Sequence, residues 1–438
     1  MMKFLFLMLF SMGLFLFENK LNKMIIYFLM FFFMMFLNIY STNLLIGGMN
    51  LFYMDLYSFY LILLSLWIIG CLMMMNLNNF MKFLIFLMMM ILFLSFLTLN
   101  LLMFYLMFEM SLLPIFFMIM YGGYTLERFE AMMYMLMYTV ISSMPFLWLM
   151  IKVFMNYKSL MMIFMMYKMI ELNYFMYLIF ILTFMIKMPI FLFHIWLPKA
   201  HVEAPVYGSM ILAGILLKLG SYGVLRFSQI LFIDVIKINY YLISLSMIGG
   251  LIISLVCLIQ IDLKMLVAYS SIVHMGILMS GMMTLMKSGF LGGLLMMLAH
   301  GLCSSGLFYL VNLNYECMGS RLMYINKGSL SINSSLGLFW FLLCSSNLSA
   351  PVSLNLISEL FLLISLICWN FKLMLILMLL CFFSAVYSLY LFSFSQHGVK
   401  NNLLMNYKII NMMDYFMLIL HWLPLNIIFL GMNLFMYN

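Results

Sequence analysis

The sequence predicts an all-α polytopic membrane protein with about 14 transmembrane helices. Of its 438 residues, 68% are hydrophobic and only 7% are charged, whereas a soluble domain carries roughly 25% charged residues. The mean hydropathy is +1.21, and apolar runs long enough to cross the hydrocarbon core recur along the whole chain. Barrel strands would alternate polar and apolar residues, and these runs do not. A soluble fold and a transmembrane barrel are therefore excluded.

The apolar runs give the predicted spans in chain order. The first run lacks the Arg- and Ser-rich amphipathic pattern of an organelle transit peptide, so we interpret it as a span. Residues 157–170 are apolar but short, and Lys158 and Lys168 within them favour an interfacial helix. The predicted spans are residues 3–17, 24–40, 56–75, 82–98, 101–121, 129–151, 174–197, 204–226, 240–260, 263–285, 289–312, 333–369, 371–396 and 412–436.

The amino-acid bias predicts a mitochondrial gene. The chain contains 57 Met and 45 Phe, although membrane hydrophobicity alone would favour Leu, Val and Ala. Codons rich in A and T would produce this bias, especially in animal mitochondria, where an extra codon is read as Met. Membrane hydrophobicity without such a codon bias is the alternative explanation.

Charge, cysteine and histidine patterns exclude several classes of function. The formal net charge of +8 comes from scattered Lys and Arg, which favours contact with anionic membrane lipids over nucleic acid. The seven Cys form no C-x-x-C pair, so no iron–sulfur cluster is indicated. No phosphate-binding or dinucleotide motif occurs. His194 and His201 lie in one polar segment, but the chain has no four-histidine, two-helix arrangement. A haem carrier is therefore excluded, and no metal site is predicted.

Two of the predicted spans are interrupted at mid-membrane. Span 174–197 contains KMP at residues 187–189, and span 333–369 contains SSNLSAP at residues 345–351. Proline removes a backbone donor and clashes with the preceding turn, so both helices are expected to kink or break. Such breaks, five spans apart, are typical of inverted-repeat transporters, where unwound backbone faces a polar cavity. Ordinary proline kinks are the alternative.

Ionisable residues inside the spans are the candidate functional groups. A charge at the bilayer centre costs roughly 2.5–3.5 kcal/mol, so such a group needs pairing, hydration or a function. Glu109 follows an apolar run, and it is the only charged residue between Lys82 and Glu127. We interpret it as a functional residue rather than as the charged end of a span.

Two lysines also lie deep in predicted spans. Lys187 stands at the first break, whose backbone carbonyls could solvate it, and Lys218 lies between Gly214 and Gly220, which let helices approach closely. Burial disfavours the ammonium, and a nearby carboxylate favours it. A buried lysine beside Glu109 could therefore hold or release a proton as its partner moves. A structural ion pair with no transport role is the alternative.

Three further groups complete the set of candidates. His274 and His300 are mid-membrane histidines with hydroxyl neighbours, and they could relay protons or act as structural hydrogen-bond donors. Glu359 follows the second break, and we expect it in the place that Lys187 occupies beside the first. The candidate residues for proton translocation are thus Glu109, Lys187, Lys218, His274, His300 and Glu359.

Three runs of residues carry a resemblance to a known family. They are KMP at 187–189, HIWLPKAHVEAP at 194–205 and LLKLGSYG at 216–223. They resemble the signature of the chain 4 family of NADH–ubiquinone oxidoreductase, an antiporter-like core subunit of mitochondrial complex I. FE at 108–109, AHG at 299–301 and SEL at 358–360 support it. The resemblance covers nearly the whole chain, although the first two spans and the last match only in character.

The resemblance implies a domain organisation with two inverted five-helix repeats. Helices 1–3 would occupy residues 1–80, the first repeat (helices 4–8) residues 81–228, the second, inverted repeat (helices 9–13) residues 229–398, and the C-terminal helix residues 399–438. Each repeat would contribute half of a proton channel. The key positions of the family would fall on Glu109, Lys187, Lys218, His300 and Glu359.

The resemblance also implies a location and partners. The chain would lie in the mitochondrial inner membrane beside other membrane-arm subunits of complex I, especially neighbouring antiporter-like chains, in contact with lipids and protons and with no nucleic acid. FMN, iron–sulfur clusters and ubiquinone would bind other subunits, so this chain would hold no cofactor and no redox active site. Its expected function is proton translocation coupled to electron transfer from NADH to ubiquinone. The alternatives are a stand-alone cation/proton antiporter subunit and a passive membrane scaffold.

Overall fold

The computed structural model of the protein describes residues 53–123, 125–168, 173–230, 236–399, 410–432 and 435. The spans predicted at residues 3–17 and 24–40 lie outside the described residues. Within the described ranges the regular secondary structure is helical, with isolated bridges and no strands, and 10 helices there are long and apolar enough to cross a membrane. The all-α polytopic class is therefore confirmed, and the total of 14 spans stays a prediction.

The described residues before position 231 form ten α-helices. α6 falls inside the segment predicted to be interfacial. A π-helical turn, Leu212–Leu216, joins α9 to α10. The helices are α1 Leu56–Met73, α2 Asn79–Leu97, α3 Leu101–Met110, α4 Leu112–Gly122, α5 Arg128–Tyr157, α6 Met162–Lys168, α7 Tyr174–Lys187, α8 Trp196–Glu203, α9 Val206–Ile211 and α10 Leu217–Ile230.

The described residues after position 235 form eight more α-helices. These are α11 Ile236–Ile259, α12 Leu263–Met283, α13 Lys287–Met318, α14 Ser329–Ile332, α15 Ser334–Asn347, α16 Leu354–Trp369, α17 Met374–Gln396 and α18 Met412–Leu430. α13 has 32 residues and packs against α1, α9, α12, α15, α16 and α18. The stretch of α13 that is apolar enough to span the membrane is completely buried, so α13 lies at the centre of the bundle.

The span predicted at residues 101–121 is bent at Ser111. α3 ends at Met110 and α4 begins at Leu112. Pro114 has no N–H to donate to the carbonyl four residues before it, and its ring crowds that carbonyl, which explains the bend. Near the bend the Phe108 carbonyl accepts a hydrogen bond from the Ser111 hydroxyl at 2.7 Å. Glu109 therefore lies in the last turn of α3, immediately before the bend.

Both predicted helix breaks are present, and their turns share one hydrogen-bond pattern. After α7, the Ile190 N–H donates to the Met185 carbonyl at 3.2 Å, and after α15 the Ala350 N–H donates to the Ser345 carbonyl at 3.0 Å. Each bond spans five residues and closes the end of a 14-residue helix. Pro189 and Pro351 follow each helix end and prevent its continuation.

The expected correspondence between Lys187 and Glu359 is wrong. Lys187 is the last residue of α7 and precedes its break, whereas Glu359 lies in the second turn of α16, after the other break. The residue that ends α15, as Lys187 ends α7, is Asn347. The sequence suggests the correspondence because both residues stand near a proline, but only the backbone shows on which side of the turn each one lies.

Candidate functional site

Four of the six predicted residues form one continuous buried row. Lys218 Nζ on α10 lies 2.9 Å from His300 Nδ1 on α13. The His300 and His274 ring centroids are 5.6 Å apart, and His274 Nδ1 on α12 is 3.4 Å from Glu359 Oε1 on α16. None of the four is more than 7% exposed. We call these residues, Lys218, His300, His274 and Glu359, the polar row.

The π-helical turn supplies a backbone acceptor to Lys218. Within the turn the Leu217 N–H donates to the Leu212 carbonyl, five residues back, whereas in a regular α-helix it would bond to the Ala213 carbonyl. The Ala213 carbonyl instead accepts a hydrogen bond from the Lys218 ammonium. Single π turns inside α-helices occur frequently at functional sites. The turn thus gives the fully buried Lys218 a carbonyl acceptor that would be hydrogen-bonded within the backbone of a regular helix.

The hydrogen bonds define the protonation of the imidazoles. An ammonium only donates, so a charged Lys218 requires His300 Nδ1 to accept and leaves the ring proton on Nε2. His274 lies between Glu359 on its Nδ1 side and the Tyr387 hydroxyl, which is 3.2 Å from Nε2. His274 can therefore bind a proton between a carboxylate and a phenol. Tyr387 was not predicted, because one of 27 tyrosines in an apolar run carries no distinguishing signal.

The buried Lys187 and the half-buried Glu109 lie apart from the polar row. Lys187 Nζ donates to the Phe108 carbonyl at 2.6 Å and lies 3.0 Å from the centroid of the Phe108 ring, which is a cation–π contact. Glu109 follows Phe108, and its Oε1 is buried with no hydrogen-bond partner among the described residues. Within the same residues, no ion pair of 4.0 Å or less joins Lys187 to Glu109. The two residues predicted to pair are thus neighbours that form no direct ion pair, and we call them the open pair.

Gly220 places the first break against the helix that carries Lys218. A Cβ added at Gly220 would lie 3.3 Å from Lys187 Cβ and 3.2 Å from the Met188 backbone nitrogen. Gly220 follows Lys218 by two residues on α10. The absence of a side chain at position 220 therefore lets Lys187 approach the polar row.

A neutral polar cluster lines the second break. Cys303 Sγ lies 3.2 Å from Ser346 Oγ, and Asn355 Nδ2 donates to the Ser346 carbonyl at 2.6 Å. Cys303 is three residues after His300 on α13, so the cluster adjoins the polar row. The sequence predicted only the break itself. Its polar partners come from neighbouring helices, Cys303 from α13 and Asn355 from α16, which follows the break.

A cavity of ≈ 710 Å³ lies at one end of the bundle, and its lining includes Glu203, Lys264, Tyr309, Arg321 and Asp414. Lys264 is only 4% exposed and donates to the Ala204 carbonyl at 3.0 Å. The Thr125 hydroxyl donates to the Glu203 carboxylate. Lys264 was not predicted as a buried group, because it is the second residue of its predicted span and its burial depends on the α8–α9 connection.

Arg226 is a second buried charge that the sequence did not single out. It forms an ion pair with Asp55, and its Nε donates to the Tyr222 hydroxyl at 2.8 Å. That hydroxyl donates to the Phe96 carbonyl at 3.0 Å. The charge is fully paired and joins α10 to α2 and to the start of α1, which indicates a structural role.

The chemistry that these groups share is the binding and release of protons. No group of three His, Cys, Asp or Glu in the described part of the chain could hold a metal ion. Ammonium, imidazole and carboxylate groups exchange protons when they lie within hydrogen-bond reach. Two unit charges 4 Å apart interact by about 4 kcal/mol at an effective dielectric constant of 20. The protonation of one residue in the polar row therefore biases the next.

Sequence comparison gives relatives along the whole chain. Residues 98–386 match the family described as NADH:quinone oxidoreductase/Mrp antiporter, TM. A protein from Apis mellifera ligustica named NADH-ubiquinone oxidoreductase chain 4 is 47% identical over 412 residues, 90% of this chain and 91% of its own. The protein of the same name from Aedes aegypti is 45% identical over 446 aligned residues, 99% of each chain.

Two solved structures share the fold. A chain of respiratory complex I from Thermus thermophilus superposes with a TM-score of 0.86 at 22% identity and covers 99% of this chain and 95% of its own. A chain of the Mrp complex from a Dietzia species superposes with a TM-score of 0.76 at 19% identity over 88% of this chain and 43% of its own. At these identities the likeness concerns the fold alone.

The fold and the site define an antiporter-like transmembrane subunit, in which a helical bundle with two broken helices encloses a row of ionisable side chains. The full-length relatives then specify the family. The chain belongs to the NADH–ubiquinone oxidoreductase chain 4 family. The resemblance drawn from its sequence motifs is confirmed.

Proposed function

We propose that this chain is a proton-translocating core subunit of respiratory complex I in the mitochondrial inner membrane. The observation that carries the proposal is the polar row, in which four ionisable side chains from four helices follow one another through an apolar bundle. The relatives' name, NADH-ubiquinone oxidoreductase chain 4, supports the assignment to this enzyme. Electron transfer from NADH to ubiquinone is assigned to other subunits.

The same proposal assigns partners and cofactors. Other membrane-arm subunits, especially antiporter-like chains, are the neighbours, and lipid covers the remaining apolar surface. FMN, iron–sulfur clusters and ubiquinone belong to other subunits, and this chain binds no nucleic acid. We also assign two inverted five-helix repeats to residues 81–228 and 229–398, and the shared turn after α7 and α15 supports that assignment.

Proton transfer begins at Lys218 in this mechanism. When the Lys218 ammonium gives its proton to His300 Nδ1, a neutral amine and an imidazolium result. His300 then loses its Nε2 proton to the neutral His274 ring, which leaves His300 neutral with its proton on Nδ1 and makes His274 an imidazolium. The Glu359 carboxylate stabilises a positive His274 and exchanges the proton with one aqueous side. Because two adjacent positive charges repel in a low-dielectric interior, the proton moves on before Lys218 is reloaded.

Lys187 and Glu109 set the charge beside the row. The ammonium of Lys187 rests on the Phe108 carbonyl and ring, and Glu109 offers an unpaired carboxylate oxygen nearby. A move of Lys187 from Phe108 to Glu109 would neutralise the positive charge that borders α10. The open pair then acts as an electrostatic switch on Lys218, without any bound cofactor.

Replacement of Lys218 tests the function. Lys218→Met is made in a genetically tractable relative that has the same residues, and protons pumped per NADH oxidised are measured on assembled complex, quantified by its flavin content. We expect coupled turnover to fall at least about tenfold. Lys152→Met is the matched control, since Lys152 lies on α5 over the Trp148 ring, away from the polar row, and should pump normally.

Other outcomes would favour the alternatives. Unchanged pumping in an assembled Lys218→Met complex would make the lysine structural and support a passive scaffold. Purification of the chain without flavin and iron–sulfur proteins would support a stand-alone antiporter instead.

A further inference from the structure

α18 carries a fully buried histidine outside the polar row. His421 is 0% exposed, and its Nδ1 lies 3.1 Å from Ser305 Oγ on α13. Its Nε2 is buried with no hydrogen-bond partner among the described residues. A buried polar atom without a partner is costly and uncommon enough to require an explanation.

Ser305 fixes the tautomer of His421. The Ser305 hydroxyl donates to the Gly301 carbonyl at 2.8 Å, so its oxygen is free to accept from the imidazole. The N–H of a neutral His421 therefore lies on Nδ1, since a neutral imidazole has one N–H. Nε2 is left as a bare acceptor that can take a proton.

The backbone around His421 is held in place from two sides. Pro424 has no N–H, so the Leu420 carbonyl, four residues earlier, lacks its helical donor. The Trp67 indole N–H of α1 donates to that carbonyl at 2.9 Å. On the other side, a Cβ added at Gly306 of α13 would lie 3.1 Å from His421 Cβ. These contacts press His421 against α13.

Ser305, the partner of His421, and Lys218 both border the same π-helical turn. A Cβ added at Gly214 in that turn would lie 3.5 Å from the Gly301 carbonyl oxygen and 3.7 Å from Ser305 Cβ. Gly214 follows Ala213, whose carbonyl holds the Lys218 ammonium. A charge on His421 would therefore act on Lys218 across a single turn of buried backbone.

The α13–α18 interface leads from His421 to the cavity. One turn after Ser305, the Tyr309 hydroxyl donates to Asp414 Oδ1 at 2.7 Å, and Tyr309 and Asp414 both line the cavity. Asp414 precedes His421 by seven residues, about 10 Å along the helix axis. The two polar pairs thus lie along one interface, with the cavity at its outer end.

We propose that His421 is a further proton-binding residue of this chain, which takes a proton on Nε2 from the cavity side of the α13–α18 interface. The new N–H bond converts a neutral imidazole into an imidazolium, and the proton leaves again by the same route. The charged state disfavours a proton on Lys218 and thus promotes its transfer to His300. This role rests on the proposed function of the polar row.

His421→Asn tests the role, because the Asn amide keeps a donor near the place of Nδ1 but binds no proton. Protons pumped per NADH are measured on assembled complex of a relative that has the same residues. We expect His421→Asn to assemble and to lose coupled turnover by about tenfold. His397→Asn is the matched control, since His397 is exposed and contacts the Phe392 ring at the end of α17, outside the polar row, and it should pump normally.

Ser305→Ala provides a second variant that keeps the imidazole and its packing. Without the serine the ring proton redistributes between Nδ1 and Nε2, so coupled turnover should fall by about threefold with normal assembly. Normal pumping by assembled His421→Asn would overturn the role. If His421→Asn does not assemble, normal pumping by Ser305→Ala would overturn it instead. If Lys218→Met loses pumping while His421→Asn pumps normally, the proposed function of the polar row stands and only the role of His421 is rejected.

Discussion

The two broken helices close with the same turn but present different chemistry at it. α7 ends in Lys187, a charged residue, and α15 ends in Asn347, a neutral one. In the second half the charge lies further along, at Glu359 on α16, where it pairs with His274. The first break therefore carries its charge at the residue that ends the helix, and the second half carries it inside a regular helix.

The side chains around the two breaks also differ, since aromatic rings surround the first break and neutral polar groups surround the second. Aromatic rings pack around the end of α7, and each has a neighbouring ring centroid at 5.8 Å or less. The rings are those of Phe104, Phe108, Phe146, Phe180, Phe184 and Phe227. Hydroxyl, thiol and amide groups pack around the end of α15. A charge is thus held by one carbonyl and one ring in the first half, whereas the second half offers a network of neutral dipoles.

This difference separates two ways to control a buried charge. Lys187 has few partners and an open carboxylate nearby, so a small displacement of the turn changes its electrostatic environment strongly. Glu359 lies on α16, which packs against α13, and its carboxylate lies 3.4 Å from His274 Nδ1, so protonation of His274 strongly changes its electrostatic environment. In the proposed mechanism the first break is therefore the switch and the polar row is the conductor.

Lys187→Met gives the largest expected effect on this comparison. It removes the charge at the switch while it keeps the length of the side chain, so coupled turnover should fall at least about tenfold. Protons pumped per NADH on flavin-normalised complex are the measurement. If the Lys187→Met complex pumps normally, the first break does not act as the switch.

Gly220→Ala tests the first break by changing only its packing and no charge. The added Cβ would lie 2.8 Å from Met188 Cγ, so the turn after Lys187 must shift at a cost of about 1–3 kcal/mol. Coupled turnover should fall by about threefold, with a lower melting temperature of the complex. Gly250→Ala on α11 is the matched control, because its Cβ would meet Leu380 Cδ1 at an ordinary 3.4 Å. Equal effects of the two substitutions would contradict a special role of the first break.

Asn347→Ala gives the smallest expected effect. The substitution removes a neutral amide at the position that matches Lys187, and the lost polar contact should cost about 1 kcal/mol of stability. Coupled turnover should stay within about twofold of the unmodified complex, because the charge of the second half lies elsewhere. A loss as large as that of Lys187→Met would show that the two breaks act alike.

The sequence predicted the helical class, the two breaks and the burial of the ionisable residues for one physical reason. In a bilayer a long apolar run is expected to span and an internal charge needs protein partners, so the pattern of residues is informative by itself. Lys187, Lys218, His274, His300 and Glu359 were identified in this way, and all are buried.

The sequence did not predict groups whose burial depends on distant segments. Lys264 is buried by the connection that follows α8, and Tyr387 matters only because α17 brings it to His274. His421 looks like one polar residue in a terminal span until Ser305 and Gly306 are seen beside it. A contact between residues sixty or more positions apart leaves no mark in a single sequence.

The sequence by itself thus determined which residues had to lie inside the membrane protein, because desolvation penalises each charge wherever its helix packs. The tertiary structure alone decided how those residues are ordered. Contacts such as the Lys218–His300 hydrogen bond act over about 3 Å, so only the packing of α10, α12, α13 and α16 could bring Lys218, His300, His274 and Glu359 into one row. The same packing left Lys187 and Glu109 close but without a direct ion pair among the described residues.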